Sequence, residues 1–184
     1  VGIRLAGHNV LLERNIIHDN GQDAIQSIWG DNGIRDLRIS QSWHHNSRPH
    51  PTVDESWNYC THTDGMQLYD GGFITGVTIE ESVIGPGFTN NLIMGQTLTP
   101  QGSRLDVHDV LIRDVLFMKA ADNNIYGYQG TNSRNWVVDN ATMHCPKTKW
   151  HCVTIDNHGH TIRDSIIYDS RITFTSGISN YSNN

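Results

Sequence analysis

Long apolar runs are absent from this chain of 184 residues. No segment approaches the roughly 20 consecutive apolar residues that a membrane-spanning helix needs. Cations are also scarce, with 13 Lys and Arg against 19 Asp and Glu and a net charge of −6, which disfavours nucleic acid as a partner. Runs of Ala, Leu, Glu and Lys are missing, so the composition does not favour helices. The chain begins at Val1 without an initiator Met or a signal-peptide pattern, as expected of a processed form or of a fragment of a longer chain.

Glycine and small polar residues are abundant instead. The sequence has 17 Gly and many Asn, Asp, Ser and Thr, which separate short apolar segments. This composition is typical of many short strands joined by turns. At this length we expect a single domain over residues 1–184 with a core of its own.

One apolar pattern recurs six times and indicates a repeat protein. It reads "NVLLERNIIHDN", "DLRISQSWHHN", "GVTIEESVIGPG", "DVLIRDVLFMKA", "WVVDNATMHC" and "HTIRDSIIYDS". Its first slot holds Val10, Leu37, Val77, Val110, Trp136 and His160, at spacings of 27, 40, 33, 26 and 24 residues. A second series aligns on Ile3, Ile25, Met66, Leu92, Ile125, Val153 and Ile172. Alternation of period two in strands of roughly 3 to 5 residues buries one face. The sequence therefore predicts an all-β solenoid, a parallel β-helix of about seven coils.

A column of small or hydrogen-bonding residues falls between the paired strands. Its members are Asn15, Ser42, Ser82, Val115, Ala141 and Ser165. We expect these residues to turn inward and bond the backbone of the next coil, although a simple turn preference of Asn and Ser is the alternative.

The three cysteines restrict the covalent possibilities. Cys145 and Cys152 bracket the short polar segment "PKTKWH". A disulfide would close this segment in an oxidising compartment, and Cys60 would then stand apart. Two small buried thiols are the alternative.

The motif Asp-x-apolar-Gln occurs twice. It appears as "DAIQ" from Asp23 to Gln26 and as "DGMQ" from Asp64 to Gln67. In a solenoid these are the same positions on successive coils, about 4.8 Å apart, so the motif forms a ladder. Two adjacent carboxylates either share a proton or hold a cation such as Ca²⁺, which makes both aspartates candidate metal ligands. In the alternative, each aspartate accepts backbone N–H bonds at a turn.

Coils such as "NVLLERNIIHDN" resemble those of the right-handed parallel β-helix proteins of the pectate-lyase-like superfamily. The resemblance covers essentially the whole chain and implies a right-handed, secreted (extracellular) protein acting on a polysaccharide, because its members are mostly polysaccharide lyases, glycoside hydrolases, epimerases, esterases and tailspike enzymes. Fold alone does not choose among these activities. The segment "HTDGMQ" resembles the Asn-Thr-Asp-Gly-Ile-Asp box of polygalacturonase-type hydrolases. The order of the boxes differs, however, and Asn90 and Asn91 stand where an acid pair is expected.

The longest insertion, residues 44–63, concentrates the candidate chemistry immediately before Asp64. His62 is the best general-base candidate. His44 aligns with the inward slot of Ile17, which predicts a hydrogen-bonded core residue, whereas His18 and His45 should face outward together. The candidate catalytic residues are His62, Asp64, Asp23, Arg48 and Tyr69. The candidate substrate-binding residues are Gln26, Gln67, Trp57, Tyr126 and Tyr128.

The function that these residues and the resemblance imply is a lyase acting on a uronate-containing polysaccharide. In that reaction His62 or Tyr69 removes the C5 proton, while Arg48 or Ca²⁺ neutralises the carboxylate. The exposed slots of the same face would carry Arg4, Ile93, Tyr126, Tyr128, Thr154 and Asp156. The alternatives are a non-catalytic carbohydrate-binding or adhesive module, and a glycoside hydrolase that uses Asp23 and Asp64.

Overall fold

Every regular element that the computed structural model describes is a β-strand. The described residues are 2–5, 7–21, 23–27, 33–46, 63–68, 73–95, 106–121, 123–127, 132–145, 152–155, 159–168, 172–174 and 180–182. Within these ranges there is no helix of the length and apolar character that crossing a membrane requires.

The strands form three parallel sheets. Sheet 1 contains β1 (Ile3–Leu5), β4 (Ile25–Ser27), β7 (Asp64–Leu68), β10 (Asn90–Met94), β13 (Asn123–Gly127), β16 (Val153–Ile155) and β19 (Ile172–Phe174). Sheet 2 contains β2 (Gly7–Glu13), β5 (Ile34–Ser40), β8 (Phe73–Glu80), β11 (Asp106–Arg113), β14 (Asn132–Asp139), β17 (Thr161–Arg163) and β20 (Asn180–Ser182). Sheet 3 contains β3 (Ile16–His18), β6 (Trp43–His45), β9 (Val83–Ile84), β12 (Leu116–Phe117), β15 (Thr142–His144) and β18 (Ile166–Tyr168).

Each coil runs through sheets 1, 2 and 3 in turn, and every strand pairs in parallel with its counterpart in the next coil. Seven, seven and six strands make six complete coils and two strands of a seventh. The predicted parallel β-helix of about seven coils is therefore confirmed.

The core of sheet 1 follows the predicted register. Ile25 pairs with Met66, Met66 with Leu92, Leu92 with Ile125, and Ile125 with Val153. All five side chains are fully buried. The column is continuous because each coil places one apolar residue above the last, so the burial of any one depends on both neighbours.

The strands of sheet 2 are longer than predicted. Five of them span seven or eight residues instead of 3 to 5. Each of the five has a residue with positive φ near its middle: Asn9, Asp36, Gly76, Asp109 or Asn135. Asn, Asp and Gly tolerate this left-handed conformation best. The left-handed residue shifts the next buried side chain by one position, so that Ile74 is followed by Val77 and not by residue 76. The period-two pattern is broken there, and alternation therefore underestimates the length of the strand.

The serines of the bend column behave as predicted, whereas Asn15 Nδ2 donates to the carbonyl of Glu13 in its own coil. The backbone N–H of Asn15 donates to Ser42 Oγ at 3.2 Å, and the N–H of Ser42 donates to Ser82 Oγ at 3.1 Å. Further along, the N–H of Ala141 donates to Ser165 Oγ at 3.0 Å. Each hydroxyl thus satisfies a backbone amide of the preceding coil, which an apolar side chain could not do.

Cys145 and Cys152 form the predicted disulfide, with both residues fully buried. The bond extends an internal asparagine column, because Asn91 Nδ2 donates to Asn124 Oδ1 at 2.6 Å and Asn124 Nδ2 donates to Cys152 Sγ at 3.3 Å. Cys60 lies outside the described residues.

Candidate functional site

The outer faces of the three sheets differ in chemistry. Sheet 2 carries ion pairs between neighbouring coils, which are Arg38–Glu80, Arg113–Glu80, Arg134–Asp106 and Arg163–Asp139. Sheet 3 carries exposed apolar side chains, and sheet 1 carries amide and hydroxyl groups. Sheet 1 is the face that the sequence predicted to be functional.

On sheet 2, the carboxylate of Glu80 is paired with arginines of the same face. Burial raises the pKa of this carboxyl, but hydrogen bonds and the charges of Arg113 and Arg38 lower it by more, so the pKa falls below its ordinary 4.5. A carboxylate held by two arginines stabilises adjacent coils. The charge of Glu80 is therefore neutralised by arginines of the two neighbouring coils.

The outer row of sheet 1 is mostly shielded from solvent. Its members lie in continuous register across six coils: Arg4, Gln26, Gln67, Ile93, Tyr126 and Thr154. Arg4 is exposed, the glutamines and Tyr126 are half-buried, and Ile93 and Thr154 are each only 7% exposed. The expectation that Ile93 and Thr154 are exposed was wrong, since alternation predicts only the direction of a side chain and not what lies beside it.

Asp23 and Asp64 occupy the predicted equivalent positions and begin a polar ladder. Asp23 Oδ1 accepts the backbone N–H of Asp64 at 2.8 Å. Asp64 Oδ1 accepts the backbone N–H and the Nδ2 of Asn90 at 3.1 and 3.0 Å. Asn90 Oδ1 in turn accepts the backbone N–H and the Nδ2 of Asn123 at 3.2 and 2.9 Å. The Oδ1 atoms of three successive ladder residues therefore accept hydrogen bonds from the next coil, and they link four coils along the solenoid axis.

The ladder lies on the same side of sheet 1 as the outer row. Gln26 Nε2 donates to Asp23 Oδ2 at 3.1 Å and lies 3.3 Å from Gln67 Oε1. At the other end, Thr154 Oγ1 donates to Asn123 Oδ1 at 3.4 Å. The two glutamines thus form the amide ladder that was one of their two predicted roles, beside the acids.

These contacts bear on the predicted roles of the aspartates. Asp23 is 4% exposed and Asp64 is fully buried. Three of their carboxylate oxygens accept the hydrogen bonds just given, as expected for residues that satisfy backbone amides. Ca²⁺ coordination by these oxygens would compete with those bonds. No cluster of three or more His, Cys, Asp or Glu able to hold a metal occurs among the described residues, so Ca²⁺ binding here stays a prediction.

The glycine of the "HTDGMQ" segment has a packing explanation. A Cβ at Gly65 would collide with the backbone carbonyl of Asn91 in the next coil. It would also lie 2.9 Å from Ile84 Cγ2. The close approach of two coils therefore requires glycine after Asp64, with no catalytic function needed to explain it.

We expect Asp64→Ala to lower the free energy of unfolding by about 3 kcal/mol, because two buried donors of Asn90 lose their acceptor. Asp64→Asn should stay within about 1 kcal/mol of the parent, since it keeps Oδ1 and its amide can donate to Asp23 as Asn90 donates to Asp64. Urea unfolding measures both values. Equal losses in the two variants would contradict the ladder.

Five of the predicted site residues lie outside the described residues, namely His62, Arg48, Tyr69, Trp57 and Tyr128. The described part of the predicted site is Asp23, Gln26, Asp64, Gln67 and Tyr126. The structure brings these five together on sheet 1. The proton-transfer residues that would act beside them stay predictions.

His44 occupies the predicted inward slot, between Ile17 and Ile84. It is 1% exposed, and neither ring nitrogen has a hydrogen-bond partner among the described residues. The expectation of a hydrogen-bonded core histidine was therefore wrong. Burial, with a smaller contribution from the charge of His45, lowers the pKa of His44 to about 4.

His18 and His45 face outward as predicted, with their ring centroids 5.3 Å apart in a stacked arrangement.

Two features were not predicted from the sequence. The ladder continues through Asn90 and Asn123, which was signalled by the "NN" pairs that precede an apolar residue in both coils. The exposed apolar row of sheet 3 was signalled by outward positions that stay mostly apolar from coil to coil.

Comparison of the chain with family models, with curated proteins and with solved structures found no match.

Proposed function

We propose that this protein is a carbohydrate-active parallel β-helix that binds a polysaccharide along the outer row of sheet 1 and cleaves it. The observation that carries the proposal is the partly buried row of Gln26, Gln67, Tyr126 and Thr154, which runs parallel to the solenoid axis. A few well-placed amide and hydroxyl groups fix the orientation of a ligand in a binding site. A linear ligand rich in hydroxyl groups matches both the direction and the chemistry of this row.

Within this proposal, the finer assignment is a secreted lyase similar to the pectate-lyase-like superfamily, acting on a uronate-containing chain. The base, His62 or Tyr69, takes the C5 proton. The electron pair then forms a C4=C5 double bond, the C4–O glycosidic bond breaks, and the departing oxygen takes up a proton. Arg48 would offset the carboxylate charge that strengthens in the transition state. The buried disulfide agrees with an oxidising compartment.

A non-catalytic carbohydrate-binding module is the second candidate. It is favoured by the outer row itself, which contains no histidine, and by the commitment of Asp23 and Asp64 to backbone amides. A glycoside hydrolase that uses Asp23 and Asp64 is a weaker candidate, because both carboxylates accept backbone N–H bonds. A module would bind the same polysaccharide along the same row without releasing products.

An assay for unsaturated ends separates lyase from module. We expect turnover on at least one member of a uronate panel of polygalacturonate, alginate and hyaluronate, followed by absorbance. His62→Ala should lower turnover by about 10²-fold or more, since general bases contribute 10²–10⁴-fold. His8→Ala, on an outer strand of sheet 2, is the matched control and should retain full turnover. Absence of turnover on all three substrates, with binding retained, would establish the module instead.

A further inference from the structure

The outer row of sheet 3 is uncharged and mostly apolar across all six coils. This apolar row consists of Ile16, Trp43, Val83, Leu116, Thr142 and Ile166, in continuous register. Four of them are conspicuously exposed: Ile16 by 66%, Trp43 by 43%, Leu116 by 38% and Ile166 by 65%. Apolar patches of a few hundred Å² on the surface of a protein are often functional, which makes this row a candidate binding surface.

Aromatic rings flank the apolar row at both ends. The Trp43 ring stacks on His45 at 4.1 Å between centroids, and His45 stacks on His18 at 5.3 Å with planes 12° apart. The indole N–H of Trp43 donates to the carbonyl of Gly85 at 3.2 Å, which fixes the ring while the residue stays 43% exposed. At the opposite end His144 and Tyr168 meet edge to face at 5.5 Å. These rings are held in place before any ligand arrives.

The dimensions of the apolar row restrict its occupant. Six strands spaced about 4.8 Å apart give a length of about 24 Å, and a single row of side chains is roughly 10–15 Å wide. The surface is on the order of 300 Å², well below the roughly 800 Å² that each partner contributes to a stable protein interface. A second copy of the chain docked on this row alone would therefore be held weakly. A narrow, linear ligand fits the shape.

The chemistry of the row identifies the class of ligand. Aromatic faces and aliphatic side chains suit the C–H faces of sugar rings, and the flanking imidazole and phenol groups can exchange hydrogen bonds with hydroxyls. No member of the row carries a charge, so a carboxylate-rich chain gains nothing there. We propose that the apolar row is a second polysaccharide site, which binds an uncharged linear stretch along the solenoid axis with Trp43 as its stacking platform. This inference shares with the proposed function only the assumption that the ligand is a polysaccharide. The surface itself is a different one, on sheet 3 instead of sheet 1.

Affinity electrophoresis tests the proposal with hydroxyethylcellulose, xylan, glucomannan and mixed-linkage β-glucan as neutral probes. At least one should retard the protein, and Trp43→Ala should weaken that binding at least 10-fold. Ile166→Ala, which removes no hydrogen-bonding group, should weaken it severalfold. Leu11→Ala is the matched control, because Leu11 is an exposed apolar residue on sheet 2, and it should bind as the parent does.

Three results would overturn the second site. They are no retardation by any neutral probe, unchanged binding in both Trp43→Ala and Ile166→Ala, or a dimer in sedimentation that Trp43→Ala dissociates. The last result would identify a second copy as the occupant. Failure here is distinguishable from failure of the proposed function, because Trp43→Ala should keep turnover on short uronate oligosaccharides, whereas His62→Ala should keep neutral-probe binding.

Discussion

Leu92→Asp is expected to abolish folding of the whole domain. Leu92 is fully buried between Met66 and Ile125 in the central strand of sheet 1. An ionised carboxylate there has no partner charge in the column, and an unpaired buried charge costs several kcal/mol or more. Total stability of a domain is only about 5–15 kcal/mol, and each coil is supported by its neighbours, so the loss spreads along the solenoid.

Circular dichroism and urea unfolding measure this outcome, and two controls isolate its cause. Leu92→Met keeps the volume and polarity of the site and should cost less than about 1.5 kcal/mol. Ile166→Asp places the same charge on the exposed outer face of sheet 3 and should leave the domain folded. A soluble Leu92→Asp variant with the parental spectrum would show that the register of sheet 1 is wrong.

Acid is expected to destabilise the domain through His44. The pKa of His44 is lowered from 6.5 to about 4 in the folded chain, so the unfolded chain binds the proton first as pH falls. Stability is therefore full above pH 6.5 and decreases between about pH 6.5 and 4. In this range the free energy of unfolding falls by up to about 1.4 kcal/mol per pH unit. The total loss from His44 alone is about 3 kcal/mol.

His44→Ile is the matched variant, because the residues above and below His44 in its column are isoleucines, Ile17 and Ile84. It removes two buried ring nitrogens without partners among the described residues. We expect the variant to be at least as stable as the parent at pH 7 and to lose most of the slope between pH 6.5 and 4. Urea unfolding at half-unit steps of pH measures the difference. Parallel stability profiles for the two proteins would refute the prediction.

Repetition made the fold predictable. Columns such as Ile25, Met66 and Leu92 recur with one face buried, and a stacked coil is the arrangement that buries them all. The serine column was predictable for a similar reason, since a hydroxyl at the same bend of successive coils can bond the neighbouring amide. The long strands of sheet 2 were not predictable from alternation, because one left-handed residue in each breaks the period.

The alignment of the Asp-x-apolar-Gln motifs was predictable, but the hydrogen bonds of their side chains were less so. The repeat of Asp-x-apolar-Gln correctly aligned Asp23 with Asp64 and Gln26 with Gln67. Sequence could not show that the carboxylates accept backbone amides of the next coil, because that depends on the direction of each side chain at the bend. The burial of Ile93 and the unsatisfied nitrogens of His44 are likewise products of three-dimensional packing.

The most direct test of the proposed function follows the side-chain amides of the glutamines by NMR. Gln26 and Gln67 lie on the outer row of sheet 1, whereas Gln41 lies at the bend between sheets 2 and 3 and bonds Glu81 at 2.9 Å. Oligogalacturonate and oligomeric alginate are added in turn to the ¹⁵N-labelled His62→Ala protein, in which turnover is expected to be about 10²-fold lower. The proposed function predicts saturable shifts of the Gln26 and Gln67 amide resonances with at least one of them, and an unmoved Gln41. No shift of either glutamine with any uronate oligomer, or shifts confined to Gln41 and its surroundings, would contradict it.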